Sequence, residues 1–321
     1  MNDGNVETAP SRQHQVAALL RHPATDPEAG DVLRLLGTLD RDPGETSRAE
    51  WRHIESYARA HRMGYLDGMA EAANRLGVVA MGNGQLAEAE ARFQLARRLA
   101  WEAGNERLAG STEQSLGSLA RVRGEMEAAV SHHRNALAQF RVAGDDGMLG
   151  LALQNLGRLH AQAGAWEEAE EALQQASEVA RRAGNLMLEN AVRVNLAELH
   201  LARGDLAAAR DACGQARALA QQRNDVLREA EALKVRGVIW REQGEYDEAS
   251  HDLAEAAALA WAADDRFLMA GVARETGELH RLQGRPEEAR AAFVRALDLY
   301  RSLGARPDQE EMARRIAQVA A

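Results

Sequence analysis

Small and apolar residues in this chain fall into phase every forty positions. Gly84 is followed at that interval by Gly124, Gly164, Gly204, Gly244 and Gly284. Gly77 is followed by Gly117, Gly157, Ala197, Gly237 and Gly277. Two alanine columns, begun by Ala89 and Ala96, hold the same phase to Ala289 and Ala296 without exception. A fixed period of this length is the signature of a stacked-repeat fold, in which each unit buries its apolar face only against its neighbours.

Within one period the pattern predicts two helices. Leu76, Gly77 and Val79 form the buried face of a first helix A, which ends at the Gly84 column. An αL C-cap belongs there, and glycine adopts it without steric cost. Helix B follows with an acidic first turn, as in Glu287-Glu288 after Pro286, which suits the positive end of the helix dipole and an early helical proline. Ala89 lets helix B lie close to helix A. One turn on stands a larger core residue: Phe93, His133, Leu173, Cys213, Leu253 or Phe293. Glycine inside helix A costs about 1 kcal/mol against alanine, so the Gly77 column implies close approach by a neighbouring helix. Helix B stops at turn residues such as Gly104-Asn105, Asn224-Asp225 and Asp264-Asp265. The absence of proline between Pro43 and Pro286 agrees with uninterrupted helices.

The expected organisation is all-α: a right-handed solenoid of tandem helix-turn-helix units. Residues 1–10 are predicted disordered, and 11–64 to hold a cap helix, with Val16, Leu19 and Leu20, and a degenerate repeat over about 25–64. Six forty-residue repeats span 65–305. Residues 306–321 are predicted to form a capping helix with Met312, Ile316 and Val319 on one face.

Leu76-Gly77, Leu116-Gly117 and Leu156-Gly157, with Ala89…Phe93 and Ala289…Phe293, resemble the tetratricopeptide repeat signature. The period is forty residues rather than the usual 34, which resembles the long-repeat subclass of kinesin light chains, Leu-Gly-Asn-repeat adaptors and bacterial peptide receptors. The resemblance implies a protein that binds a peptide, a protein or a small signal along its A helices. It also implies backbone-clamping asparagines at Asn155 and Asn195. An amide donates and accepts at once, so it can hold a peptide bond whatever its side chain.

The stripe of helix A opposite its buried face holds Asn74 and Arg75, then Gln114 and Arg121, then Gln154, Asn155 and Arg158, then Asn195, Lys234, Arg241, Arg274 and Arg281. These residues form the candidate partner-binding groove. Its cations suggest a protein or peptide partner of acidic character. The alternative is a solvated polar face with helix pairs such as Arg274–Glu278. The net charge of −10 speaks against a non-specific nucleic-acid binder, and no apolar run is long enough for a membrane helix. No secretory signal is evident at the N-terminus, so the chain is expected in the cytoplasm.

No catalytic residue, metal site or cofactor is expected. Cys213 is the only cysteine and is read as a small core residue. His160, His200 and His280 read as packing residues, and His132-His133 as neighbours pointing apart on helix B. The functional reading is a protein- or peptide-binding scaffold. Its rivals are a ligand-responsive regulator and an enzyme on a helical-repeat scaffold, for which Arg158, His160, Glu198 and His200 are the one candidate zone.

Overall fold

The computed structural model describes residues 48–319, and the expectations for 1–10, the 12–21 cap and most of the 25–64 repeat lie outside them. The described residues form fourteen helices and no strand. In order these are α1 (Arg48–Met63), α2 (Leu66–Gly82), α3 (Leu86–Glu102), α4 (Glu106–Arg123), α5 (Met126–Ala143), α6 (Asp146–Gln162) and α7 (Trp166–Arg182). They continue with α8 (Leu186–Ala202), α9 (Leu206–Gln222), α10 (Val226–Gln243), α11 (Tyr246–Ala262), α12 (Arg266–Leu282), α13 (Pro286–Ser302) and α14 (Arg306–Val319). Even-numbered helices from α2 to α12 are the A helices. Odd-numbered helices from α3 to α13 are the B helices.

The predicted stop signals act as caps. Gly84 and its equivalents take left-handed φ between 70° and 83°. At the B-helix ends the same conformation is held by glycine except at Asn224 (φ 53°) and Asp264 (φ 52°), two residue types that tolerate αL best after glycine. The A helices from α4 to α12 are capped from the side chain: Asn185 Oδ1 accepts from the Leu188 N–H at 3.1 Å, and Asp265 Oδ1 from the Leu268 N–H at 2.8 Å.

The described residues divide into two compact units between Ala152 and Leu153, inside α6. In the first unit, Ile54, Tyr57 and Ala58 of α1 join Met69, Ala73 and Leu76 of α2 and Leu99 of α3 in one buried cluster. A second cluster sets Phe93 beside Ala80, Ala89, Leu116 and Leu119. Arg92 is fully buried there; its guanidinium reaches the Leu76 carbonyl at 3.1 Å and pairs with Glu50 and Glu88. A lone buried cation would be costly, so this pairing is what makes it tolerable.

In the second unit each B helix lays its larger residue on the small residue of its A helix. A Cβ added at Gly277 would lie 2.6 Å from the Phe293 ring, and one at Gly157 would lie 2.7 Å from Leu173. No real Cβ sits that close, so glycine is required for the contact. The A helices also touch in sequence, α8 to α10 and α10 to α12, which lines their free faces up side by side. At the C-terminal end α14 packs on α13, and Met312 is buried with Phe293, Leu297 and Tyr300. No helix among the described residues is long and apolar enough to cross a membrane.

Candidate functional site

Residues on one face of a helix recur at three- and four-residue steps. On α6 this places Gln154 and Arg158 together, on α8 Asn195 and Glu198, on α10 Glu231 and Lys234, and on α12 Gly271 and Arg274. In the second unit these four faces enclose a polar cavity of about 330 Å³. Five residues of the predicted groove therefore meet in one place: Gln154, Arg158, Asn195, Lys234 and Arg274. Asn155 is half-buried and does not line this cavity, so it does not share it with Asn195.

The lining carries four cations, Arg158, Arg228, Lys234 and Arg274, and four carboxylates, Glu198, Glu231, Asp265 and Asp308. The predicted basic stripe is thus not a positive surface here. Arg228 pairs with Glu231 at 2.6 Å, Lys234 with Glu198 at 3.9 Å and Arg274 with Glu275 at 2.9 Å. The suggested Arg274–Glu278 pair does not form. Glu278 is taken instead by Arg281 at 2.6 Å and by Arg315 of α14 at 3.0 Å. Among the lining cations only Arg158 has no ion pair or side-chain hydrogen bond within the described residues.

Arg241 and Arg281 lie outside the cavity. Arg241 reaches from α10 to Glu275 of α12 at 2.8 Å and also holds Glu242 at 2.9 Å. Burial alone would push the Glu275 carboxyl up; Arg274 and Arg241 outweigh it and hold it below its usual value. This half-buried trio ties successive A helices together, and its cations are engaged in that contact.

Asn195 lines the cavity with its Nδ2 buried and without a hydrogen-bond partner. A buried donor left unpaired costs about 1–3 kcal/mol, so a ligand acceptor that reached it would recover that cost.

In the first unit Asn74 is half-buried with an unpartnered Oδ1, and Gln114 is half-buried. Arg75 is exposed and pairs with Glu71 at 2.7 Å, one turn away. Arg121 is exposed on α4.

The candidate enzyme zone does not converge. Arg158 and Glu198 line the cavity, but His160 and His200 do not. His251, Asp252 and Glu255 approach one another closely enough to hold a cation. Asp252 is already gripped by both arms of Arg236, at 2.5 and 2.7 Å, and Glu255 by Arg217 at 3.0 Å. The bidentate Arg236–Asp252 pair and the Arg217–Glu255 contact already engage both carboxylates.

Sequence reasoning missed Arg228, Glu231, Phe267 and Tyr300. Three of them lay within reach. Arg228 and Glu231 continue the Lys234 stripe toward the helix start, and Phe267 continues the Arg274 stripe through Gly271. Tyr300 comes from a B helix, and no pattern in helix A points to it.

The tetratricopeptide repeat family model matches residues 107–182. No curated protein gives a significant sequence match. Among solved structures, BtubC (BKLC) from P. vanneervenii superposes with a TM-score of 0.61 at 20% identity, over 68% of this chain and 92% of that one. A Rap protein complexed with competence and sporulation factor gives 0.57 at 12% identity, over 96% of both chains. A tetratricopeptide repeat protein from Parabacteroides merdae gives 0.58 at 17%, over 86% of this chain and all of that one (100%). At these identities the likeness is one of fold. With its period, its matched segment and its paired helices, this chain has a tetratricopeptide-repeat fold built on forty-residue units.

Proposed function

We propose that the second unit binds a peptide segment of a protein partner in the cavity between α6, α8, α10 and α12. The observation that carries this reading is Asn195, a cavity-lining residue whose buried Nδ2 has no hydrogen-bond partner. A peptide carbonyl supplies the missing acceptor. Gln154 offers a second amide on the neighbouring helix, able to donate or accept. Arg158, the cation left unpaired, takes one carboxylate of the ligand. The balanced lining favours a segment of mixed charge with a carboxylate at that point over a uniformly acidic one. A fold neighbour with a bound signal, the Rap protein complexed with competence and sporulation factor, supports a receptor on this architecture.

The test is a peptide array probed with the full chain and with Asn195→Ala and Arg158→Ala. Loss of a buried hydrogen bond or charged contact of about 1–3 kcal/mol corresponds to a fall in affinity of about 5- to 150-fold for each variant. Peptides bound equally by wild type and both variants would place the binding site elsewhere.

A further inference from the structure

The opposite side of α12 carries a second cavity, of about 720 Å³, walled by α11, α12 and α13. Its origin is visible one repeat earlier. Between α9, α10 and α11 the corresponding space is crossed by charged side chains. Arg217 of α9 reaches Glu229 of α10 at 3.2 Å and Glu255 of α11 at 3.0 Å. Arg236 of α10 holds Asp252 of α11 with both arms.

Forty residues on, every member of both clusters is changed. Arg217 becomes Ala257, Glu229 becomes Met269, Arg236 becomes Thr276 and Asp252 becomes Ala292, while Glu255 becomes Arg295. All five replacements line the cavity. The ionic side chains that cross the earlier junction are replaced here mostly by small or apolar ones, and a cation stands where a carboxylate stood.

What remains is an apolar chamber with charge at its edge. Trp261, Met269, Val294 and Leu299 supply the apolar wall, and Trp261 stands 76% exposed at the end of α11. Arg266 and Arg295 line it with no ion pair or side-chain hydrogen bond among the described residues. The one lining carboxylate, Asp298, is engaged by Arg301 at 3.2 Å. The hydroxyls of Thr276 and Ser302 are committed to carbonyls of their own helices, at 2.9 and 2.7 Å.

We infer that this cavity binds a small amphipathic organic anion. The apolar body lies against Trp261 and Met269, and the carboxylate or sulfonate meets Arg266 and Arg295. The volume falls in the range of small-molecule sites, roughly 300–1,000 Å³, and such sites are mainly apolar with a few placed polar groups. Two guanidiniums without counter-charge select an anion over a neutral molecule of equal length.

The full chain is titrated with dodecanoate, with dodecanol, and with anilinonaphthalene sulfonate as a fluorescent probe. Wild type is expected to bind about one equivalent of either anion saturably, and dodecanol at least about tenfold more weakly. The double variant Ala257→Arg/Arg295→Glu rebuilds the Arg217–Glu255 bridge of the preceding repeat and is expected to lose at least about tenfold in anion affinity. Should that variant lose helix content, Arg266→Gln/Arg295→Gln leaves the packing alone and is expected to erase the preference for dodecanoate over dodecanol. Three results overturn the inference: no saturable anion binding by wild type, equal binding of dodecanol, or undiminished anion binding by both variants. Binding of an acidic amphipathic peptide helix with none of dodecanoate would also overturn it, and would assign the cavity to a protein partner.

Discussion

Phe293 over Gly277 and Cys213 beside Ala197 are the same contact in two repeats, built from different parts. Where helix A carries glycine, helix B carries a ring or a leucine that fills the space down to the backbone. Where helix A carries an extra methyl at Ala197, helix B carries the smallest residue of its column, Cys213, in the same buried cluster. The constraint is on the summed volume at the junction, so neither column is fully fixed by itself. Interiors packed to crystal density behave this way, because one methylene too many or too few is felt.

The heaviest blow to this comparison is Phe293→Ala. It empties the contact against Gly277 and Met312 and should cost about 3–5 kcal/mol in chemical denaturation, whereas Cys213→Ala removes a single atom and should cost far less. Equal losses at the two sites would refute the volume argument.

His133 sharpens the comparison by charge. It fills over Gly117 the place that Leu173 fills over Gly157, and its Nδ1 is buried without a partner. Burial, with smaller contributions from His132 and Arg121, pushes the imidazole down to about 4 from its usual 6.5. The unfolded chain takes up this proton near 6.5, while the folded chain refuses it until about 4. Stability from this group is therefore complete above pH 6.5 and is lost as pH falls toward 4. The loss is about 3 kcal/mol over that window. His133→Leu should flatten the fall in melting temperature between those pH values, and an unchanged slope would remove His133 from the account.

The finest test is a cycle on Ala197 and Cys213. Cys213→Leu alone overpacks the junction and should cost about 1–3 kcal/mol. Combined with Ala197→Gly it recreates the Gly157–Leu173 arrangement. The two changes should then couple favourably by about 1 kcal/mol or more in a double-mutant cycle. Strict additivity would show that the two side chains do not share space.

The same distinction explains what the sequence made legible. Gly84, Gly77 and Ala89 announce the fold because backbone geometry enforces them locally, repeat after repeat. The groove was half legible: helical spacing placed Gln154, Arg158, Asn195, Lys234 and Arg274 together. It could not say that Arg241 is claimed by Glu275, 34 residues away on the next A helix. Ion pairing depends on the neighbour's rotamers and not on the stripe's own spacing. The cavity beside α12 was hidden for another reason. It is defined by what Ala257 and Ala292 lack, and a vacancy shows only when one repeat is laid over the preceding one.

Cys213 offers a built-in clock. It is the only thiol in the chain, buried, donating to the Ala232 carbonyl at 2.9 Å, and burial pushes its pKa up to about 12. Alkylating reagents attack the thiolate, so the folded interior withholds both access and the reactive form. Labelling at this sulfur proceeds through moments when α9 parts from α10. Its rate under native conditions measures how often the middle of the second unit breathes, with no engineered reporter.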